Sequence, residues 1–417
     1  MRSKVALSVL DQAIISAFNF ALNLYLIRLW SPEDFGVFAV VLAAALLAVM
    51  LQNALINTPL AVHMPVVASA EEKALLRRVF TASNAALTLL LLCGATGGLW
   101  LWLDASQADL AVAAGLYIAS QFLREYHRAL LAVDGDLKAL LAVDVAYVLL
   151  SVLTLAVFWF GGYPALQSVP AVLLVLSGWG LVSVLVYLWP RAMPSLTSLL
   201  GEIRSVFGSQ AHEIRWSLLG VITTDIQNRG YLFIAAAYFG PTTVAHLQAG
   251  RIFFGPLNLL TSAWARVARP QLARDFGNGD LPRFKTILGH AIAAFVVFNV
   301  VFLIGLYWFW PYLSGIVFGD KYQSMGYIVA GWGLANFVFQ VRSCLSVGVQ
   351  SLRRFRELTA GTIYGAVVSM LIVVSASVLE WSSWLIASVI VGECVAISVI
   401  LAILKSYLKS GAANERS

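Results

Sequence analysis

Residues 36–60 read GVFAVVLAAALLAVMLQNALINTPL, a run of 25 residues without a charged side chain. A helix needs about 20 mostly apolar residues to cross the hydrocarbon core of a bilayer, so this run is long enough to span a membrane. Similar runs recur along the whole chain of 417 residues, of which 60% are hydrophobic and only 12% charged. Soluble domains carry about 25% charged residues. The sequence therefore predicts a polytopic membrane protein.

Hydropathy in helix-length windows predicts an all-α chain with about twelve transmembrane helices. The predicted spans are residues 5–29, 36–60, 79–103, 110–133, 139–161, 170–189, 215–239, 246–268, 287–310, 326–349, 358–379 and 384–405.

The two halves of the chain resemble each other. A shift of 209 residues aligns Trp30-Ser31-Pro32 with Phe239-Gly240-Pro241. Repeated halves of the same orientation are the layout of many alternating-access carriers. The predicted domains are an N-terminal six-helix bundle (1–190), a cytoplasmic amphipathic linker (191–214), a C-terminal six-helix bundle (215–405) and a cytoplasmic tail (406–417).

The basic residues predict the orientation of the chain. Most of the 27 Lys and Arg residues lie at the N-terminus, in alternate loops and in the C-terminal tail, and cytoplasmic loops carry the excess of Lys and Arg. Both termini are therefore expected in the cytoplasm. The net charge of +6 is spread over short loops and forms no broad basic patch, so no nucleic-acid partner is predicted.

The sequence also argues against several classes of function. Cys93, Cys344 and Cys394 have no paired spacing and the five His residues are isolated, so neither a metal site nor a cofactor is predicted. No phosphate-binding P-loop is present, which argues against transport driven by the chain's own ATP hydrolysis. Because the predicted outer loops are too short for a catalytic domain, the chain is not expected to be an enzyme.

Polar side chains within the predicted spans indicate the functional site, because such groups are costly in hydrocarbon unless they face a cavity or a partner. One face of the first helix carries Asp11, Gln12, Asn19 and Asn23. The sharpest strip, on the eighth helix, includes Arg251 and Asn258, and weaker strips on the fourth, fifth and tenth helices include Arg124, Asp144 and Gln340. A single Asn or Gln more often bonds a neighbouring helix, but strips in both halves favour a polar cavity.

Arg251 is the strongest candidate for contact with the substrate, and Arg124 follows it. A guanidinium group offers a planar fork of N–H donors that matches phosphate and carboxylate oxygens. This attraction is stronger in a partly dehydrated cavity than in water, so an anionic solute is predicted. Asp11, Asp144 and Asp225 are candidates for ion coupling, and a hydrogen-bonded structural role stays open for them.

Three further Arg residues lie within predicted spans. Arg28 is near the outer end of its helix, where snorkelling to the interface would explain it. Arg229 follows Asp225 by four residues, so an internal ion pair and a ligand contact are both open. Arg342 lies deeper but off the polar strip of its helix. All three are kept as candidate substrate contacts.

The stretch LIRLWSPEDFGVFA at residues 26–39 resembles the polysaccharide transporter family, which includes the Wzx-type O-antigen flippases. That family typically carries an Arg, a short spacer, Pro-Glu-hydrophobic-Gly and then an apolar helix at this point. Tyr238-Phe239-Gly240 and Ala249-Gly250-Arg251-Ile252 are similar to the family's seventh and eighth helices. The second predicted loop lacks the Gly-x-x-x-Asp-Arg pattern of major facilitator carriers, a rival twelve-helix family.

The resemblance implies the fold of the multidrug/oligosaccharidyl-lipid/polysaccharide (MOP) exporter superfamily: two MATE-like six-helix bundles around a central cavity. It implies a flippase that moves an undecaprenyl-pyrophosphate-linked oligosaccharide from the cytoplasmic to the periplasmic leaflet of a bacterial inner membrane. Such a protein serves polysaccharide or lipopolysaccharide synthesis, with the polysaccharide polymerase and chain-length machinery as further partners. Arg251 and Arg28 match family positions.

Three alternatives stay open. A multidrug or organic-ion antiporter coupled to H⁺ or Na⁺ would use the same scaffold, with a cavity dominated by carboxylates. A membrane glycosyltransferase, polymerase or ligase of the same pathway would need a larger extramembrane loop. A scaffold of an export complex would move no lipid. The sequence chooses neither the glycan nor the energy source, which would be a proton or sodium gradient, the membrane potential, or downstream polymerisation.

Overall fold

The computed structural model describes residues 2–64, 67, 69–102, 107–188, 199–322, 325–352 and 354–414, and these residues form helices and turns without a β-strand. The α-helices in these ranges are α1 Arg2–Leu29, α2 Pro32–Gln52, α3 Thr58–His63, α4 Ala70–Trp102, α5 Ala108–Asp134, α6 Leu137–Phe160, α7 Val169–Leu188, α8 Leu199–Asp225, α9 Tyr231–Phe239, α10 Pro241–Arg251, α11 Gly255–Gly277, α12 Leu281–Val317, α13 Met325–Ser351, α14 Phe355–Val378 and α15 Trp384–Asn414.

Three pairs of these helices are continuous through an irregular turn. A π turn at Asn53–Asn57 joins α2 to α3, a second at Ile226–Gly230 joins α8 to α9, and a 3₁₀ turn at Ile252–Phe254 joins α10 to α11. The fifteen described helices, joined at three places, therefore form twelve rods. The number of rods agrees with the prediction of about twelve helices from hydropathy.

Eight of the described rods are long and apolar enough to cross a membrane. The other four are α5, α7, α8–α9 and α10–α11. The apolar part of α7 is shorter, Val169–Leu185. The remaining three carry charged residues in the middle of predicted spans, which lowers their hydropathy: Arg124 and Arg128 on α5, Asp225 and Arg229 at the α8–α9 junction, and Arg251 on α10.

Local sequence explains how tightly the rods are connected. Gly135 ends α5 in the left-handed conformation with φ 75°, which only glycine adopts without strain. Asp136 then begins α6, because its carboxylate accepts the backbone N–H of Ala139 at 3.1 Å. Gly240, with φ 79°, and Pro241 form the corresponding turn between α9 and α10. Because these turns are short, only a few residues between consecutive helices have backbone N–H and C=O groups outside a helix.

The chain folds into two compact units. Unit 1 comprises Met1–Leu22 and Val41–Ile222, and unit 2 comprises Asn23–Val40 and Thr223–Ser417. The end of α1 and the start of α2 thus belong to unit 2. Of the predicted linker, residues 191–198 lie outside the described residues and residues 199–214 form part of α8.

Reciprocal capping of helix ends holds the α1–α2 turn within unit 2. Lys321 donates from Nζ to the carbonyls of Arg28, Leu29 and Trp30, at 3.0, 2.9 and 3.2 Å, where α1 ends. In return Arg28 donates from Nη1 to the carbonyl of Gly315, at 2.9 Å, in the last turn of α12. The last carbonyls of a helix lack intrahelical partners and attract cations. Arg28, a predicted substrate contact, therefore bonds a helix end in this structure.

Each unit has its own apolar core. The core of unit 1 is built from Ile56, Leu60, Met64, Leu76, Val79, Phe80, Tyr126, Leu130 and Val206. The core of unit 2 includes Ala268, Leu272, Phe284, Leu288, Cys344, Val349, Ile400 and Leu404. Within unit 2, α14 and α15 approach closely at Gly365 and Gly392, where a Cβ on either glycine would overlap the other's carbonyl. This close crossing brings Glu393 of α15 next to Gln227.

Candidate functional site

Unit 2 contains a small, partly open polar cavity. Its volume is about 40 Å³, room for a few water molecules at roughly 10–15 Å³ each. The polar residues and the tryptophan that line it are Asn228, Arg251, Asn258, Trp332, Asn336 and Glu393, and Phe254 and Phe339 supply apolar walls. The predicted contacts Arg251 and Asn258 therefore line one cavity.

Irregular helix turns build this cavity. Asn228 lies in the π turn between α8 and α9, and Arg251 is the residue before the 3₁₀ turn between α10 and α11. Such turns leave backbone carbonyls without their usual helical partners, and irregular backbone is tolerated at membrane depth where it lines a cavity. Here Arg251 Nη1 donates to the Asn228 carbonyl at 3.0 Å and to the Tyr231 hydroxyl at 3.4 Å. Two helix interruptions thus fix the direction of one guanidinium group.

Arg251 pairs with no carboxylate within 4 Å among the residues that the structure describes. Its guanidinium lies over the ring of Trp332, 5.3 Å from the centroid, a cation–π contact. Of its N–H groups, only those on Nη1 bond a described residue. The Nη2 and Nε groups therefore stay available to a ligand.

Arg342, by contrast, is neutralised by Glu393. Both residues are buried, and Arg342 Nε donates to Glu393 Oε2. The other oxygen, Oε1, accepts Nε2 of Gln227 at 3.1 Å. Near the junction of α8 and α9, Arg229 forms a second ion pair, with Asp225. When all these groups are ionised, three guanidinium groups face two carboxylates, and the net positive charge resides on Arg251.

Unit 1 holds a separate charge cluster. Asp144, fully buried on α6, accepts Arg124 Nη2 at 2.5 Å and Arg128 Nε at 2.7 Å. Arg128 also donates to Asp11 at 2.9 Å and to Glu125 at 2.8 Å. When all of these groups are ionised, three carboxylates face two guanidinium groups, and the net charge of this cluster is negative, opposite to that around Arg251.

Of the remaining predicted contacts, Gln340 is linked to the cavity of unit 2 by hydrogen bonds. It is buried and accepts Nδ2 of Asn299 at 2.6 Å, and Asn299 Oδ1 accepts Nδ2 of the lining residue Asn336 at 3.3 Å. On α1, Gln12 and Asn19 are exposed, and Asn23 is half-buried in the segment that belongs to unit 2.

Six residues of these groups were missing from the predicted site: Glu125, Arg128, Asn228, Trp332, Asn336 and Glu393. Spacing signals exist for three of them. Arg128 follows Arg124 by four residues, and Trp332 precedes Asn336 by four, so each pair shares a helical face. Arg128 is both one of the basic residues that predict the orientation and a member of the polar face with Arg124, and its guanidinium bonds three carboxylates. Glu393 has no such signal, because its partner Arg342 is 51 residues away.

Solved structures of similar fold are MOP-superfamily transporters. An inward-facing multidrug resistance MATE family transporter aligns with a TM-score of 0.65 at 15% identity, over 94% of this chain and 95% of that one. The lipid II flippase MurJ, in an inward closed conformation, aligns with a TM-score of 0.66 at 13% identity, over 97% and 87%. The sequence matches no protein-family model and no curated protein.

A third similar structure is a MOP-superfamily transporter from Pyrococcus furiosus, in which reverse polarity of the binding pocket suggests a different function. It aligns with a TM-score of 0.57 at 15% identity, over 97% of this chain and 96% of that one. Together these likenesses confirm the predicted fold class: the chain is a multi-pass membrane protein with the all-helical fold of MOP-superfamily transporters. The Wzx-type assignment and the central cavity stay predictions.

The buried pair of Arg342 and Glu393 allows a stability test. Arg342→Met is expected to lower the free energy of unfolding by about 3–5 kcal/mol, because it leaves the Glu393 carboxylate buried without a cation. The double variant Arg342→Met/Glu393→Gln removes both charges and retains an acceptor for Gln227, so most of the loss should be recovered. Unfolding of the purified protein in detergent measures both.

Arg354→Met is the matched control, because both side chains of the Arg354–Glu357 pair, 3.5 Å apart, are solvent-accessible and such pairs contribute about 0–1 kcal/mol. Equal destabilisation by the single and double variants would contradict the account of a charge pair.

Proposed function

We propose that this protein is a lipid-linked oligosaccharide flippase. It moves the glycan head group of an undecaprenyl-pyrophosphate-linked oligosaccharide from the cytoplasmic to the periplasmic leaflet of a bacterial inner membrane, by alternating access and with both termini in the cytoplasm. The product would feed polysaccharide or O-antigen synthesis, with the polymerase and chain-length machinery as partners. The observation that carries this proposal is the guanidinium of Arg251, which faces a cavity without a carboxylate partner.

The physical demands of flipping match this arrangement. A pyrophosphate group must leave water while its polyprenyl tail stays in lipid, so the protein has to replace the lost hydration with fixed donors. The free Nη2 and Nε groups of Arg251 offer a planar fork suited to phosphate oxygens. MurJ, one of the structures of similar fold, is a lipid II flippase. Its likeness supports a lipid-linked substrate on this scaffold.

The second candidate function is a MATE-like multidrug or organic-ion antiporter, coupled to H⁺ or Na⁺. A site for organic cations would present carboxylates to the solute, yet Asp11, Asp144 and Asp225 each bond a guanidinium group. Glu393, the carboxylate that lines the cavity, bonds Arg342. The Pyrococcus furiosus transporter is one in which reverse polarity of the binding pocket suggests a different function. By the same reasoning, the positive charge at Arg251 favours the flippase over the antiporter.

Reconstitution tests the role of Arg251. In proteoliposomes that contain a labelled undecaprenyl-pyrophosphate-linked oligosaccharide, Arg251→Ala is expected to slow flipping by about tenfold or more, since a charge-assisted hydrogen bond contributes about 1.5–3 kcal/mol. Arg251→Lys should retain part of the rate because it keeps the charge but loses the fork. Leaflet distribution is read from the accessibility of the label to an impermeant reagent.

Arg283→Ala serves as the control, because it removes an exposed Arg of the same unit. Equal rates for Arg251→Ala and Arg251→Lys would remove Arg251 from the site. An unchanged leaflet distribution with the wild-type protein would favour a scaffold.

We further propose that the charge cluster of unit 1 couples flipping to a proton gradient through Asp11. Asp144 accepts two guanidinium groups, whereas Asp11 accepts one, and the buried Oδ1 of Asp11 receives no hydrogen bond from a described donor group. The cluster has three carboxylates for two guanidinium groups, so one proton would make it neutral. Asp144 and Asp225 are the other candidates for ion coupling.

Asp11→Asn imitates the protonated carboxyl group and is expected to abolish the acceleration of flipping by an imposed pH gradient. The measurement is the ratio of initial flipping rates with and without the gradient. Asp134→Asn is the matched control, because Asp134 bonds Arg77 in the same unit but is not part of the charge cluster. The proposal would be contradicted if the Asp11→Asn variant gave the same ratio as the wild-type protein. It would also be contradicted if the gradient did not change the wild-type flipping rate.

A further inference from the structure

An unpaired donor and an unpaired acceptor lie with Arg251 in the wall of the unit 2 cavity. Trp332 is only 4% exposed, and its buried Nε1–H group donates to no residue in the part of the chain that the structure describes. The buried Oδ1 of Asn258 likewise accepts no described donor. Burying such groups without partners costs free energy, so both need a partner that enters the cavity.

The direction of the Trp332 N–H group is fixed by its neighbours. The ring packs against Tyr231, with centroids 5.6 Å apart, while the guanidinium of Arg251 covers it at 5.3 Å. Tyr231 in turn accepts a hydrogen bond from Arg251. The indole, the phenol and the guanidinium therefore form one packed group, of which Arg251 and Trp332 line the cavity.

A few water molecules fit this cavity and would satisfy these groups in the absence of a ligand. A ligand that displaces them has to offer acceptors to Arg251 and Trp332 and a donor to Asn258. A fully ionised pyrophosphate has only acceptors and cannot satisfy the Asn258 oxygen. A sugar that carries an acidic group offers both, because its hydroxyl groups donate.

We propose that Arg251, Trp332 and Asn258 form a three-point subsite for an acidic sugar unit. The anionic oxygens accept from Arg251 and from the Trp332 indole N–H, and a hydroxyl of the same sugar donates to Asn258 Oδ1. The small cavity of about 40 Å³ accommodates part of one sugar unit. This inference rests on the proposed function and identifies the part of the proposed substrate that binds in the cavity.

Two sources supply this chemistry: the sugar attached to the carrier pyrophosphate, and a uronic acid within the glycan. Glucose 1-phosphate imitates the first and glucuronate the second, while a pyrophosphate esterified with methyl at both ends, the pyrophosphate probe, supplies anionic oxygens without any hydroxyl group. Binding of these probes to the full-length protein is measured by titration calorimetry in a detergent without a sugar head group. Whichever sugar probe binds more tightly identifies the source.

At least one sugar probe is expected to bind the wild-type protein more tightly than the pyrophosphate probe. Trp332→Phe keeps the aromatic side chain and removes the N–H group. It should lower the affinity for the sugar probe and the affinity for the pyrophosphate probe by about tenfold each. Asn258→Leu should lower the affinity for the sugar probe by about tenfold and leave the affinity for the pyrophosphate probe unchanged. The ratio of the two affinities does not depend on the fraction of folded protein, so partial unfolding cannot imitate the Asn258 result.

Trp381→Phe is the matched control, since it removes an indole from an exposed position of the same unit. The proposal is overturned if neither sugar probe binds, if Trp332→Phe behaves like Trp381→Phe, or if Asn258→Leu weakens both classes of probe equally. Failure of the flippase proposal is seen separately, as normal probe binding by a protein that leaves the labelled lipid in its original leaflet.

Discussion

A charge buried in a membrane-spanning bundle requires a counter-charge, and this constraint governs the polar interior of both units. Desolvating an ion costs several kcal/mol even after the protein relaxes, so Arg and acidic residues within spans are expected in pairs. Unit 1 satisfies the rule with a cluster in which Arg124 and Arg128 hold Asp144, and Arg128 also holds Asp11. Unit 2 satisfies it at Arg342–Glu393 but leaves Arg251 without an acid.

When their side chains are ionised, the unit 1 cluster and the group around Arg251 carry net charges of opposite sign, so they suit different ions. The cluster of unit 1 has one carboxylate more than its guanidinium groups, so a proton would complete it. The group around Arg251 has one guanidinium more than its carboxylates, so an anion would complete it. In the proposed proton-driven flippase, the excess carboxylate of unit 1 would bind the proton and the excess guanidinium of unit 2 would bind the anionic lipid.

Hydropathy and spacing predicted the fold well because both depend on neighbouring residues. The twelve rods follow from apolar runs, and the strip that includes Arg251 and Asn258 follows from the helical repeat. Pairing between distant residues was not predictable in this way. No sequence pattern near Arg342 predicts its pairing with Glu393, which lies 51 residues further along the chain. Nor does hydropathy show that Asn23–Val40 belongs with the second unit, because that depends on caps that Lys321 provides. The site was therefore predicted as a set of polar faces, without the pairs that decide which charge is free.

The central claim, that the uncompensated charge at Arg251 selects an anionic head group, is tested most directly by comparing two lipids that carry the same glycan. One is linked through pyrophosphate and the other through an uncharged ether, and both are offered to the same proteoliposomes. We predict that the pyrophosphate-linked lipid is flipped at least tenfold faster, since one charge-assisted contact contributes about 1.5–3 kcal/mol. Equal rates for the two lipids would contradict the account.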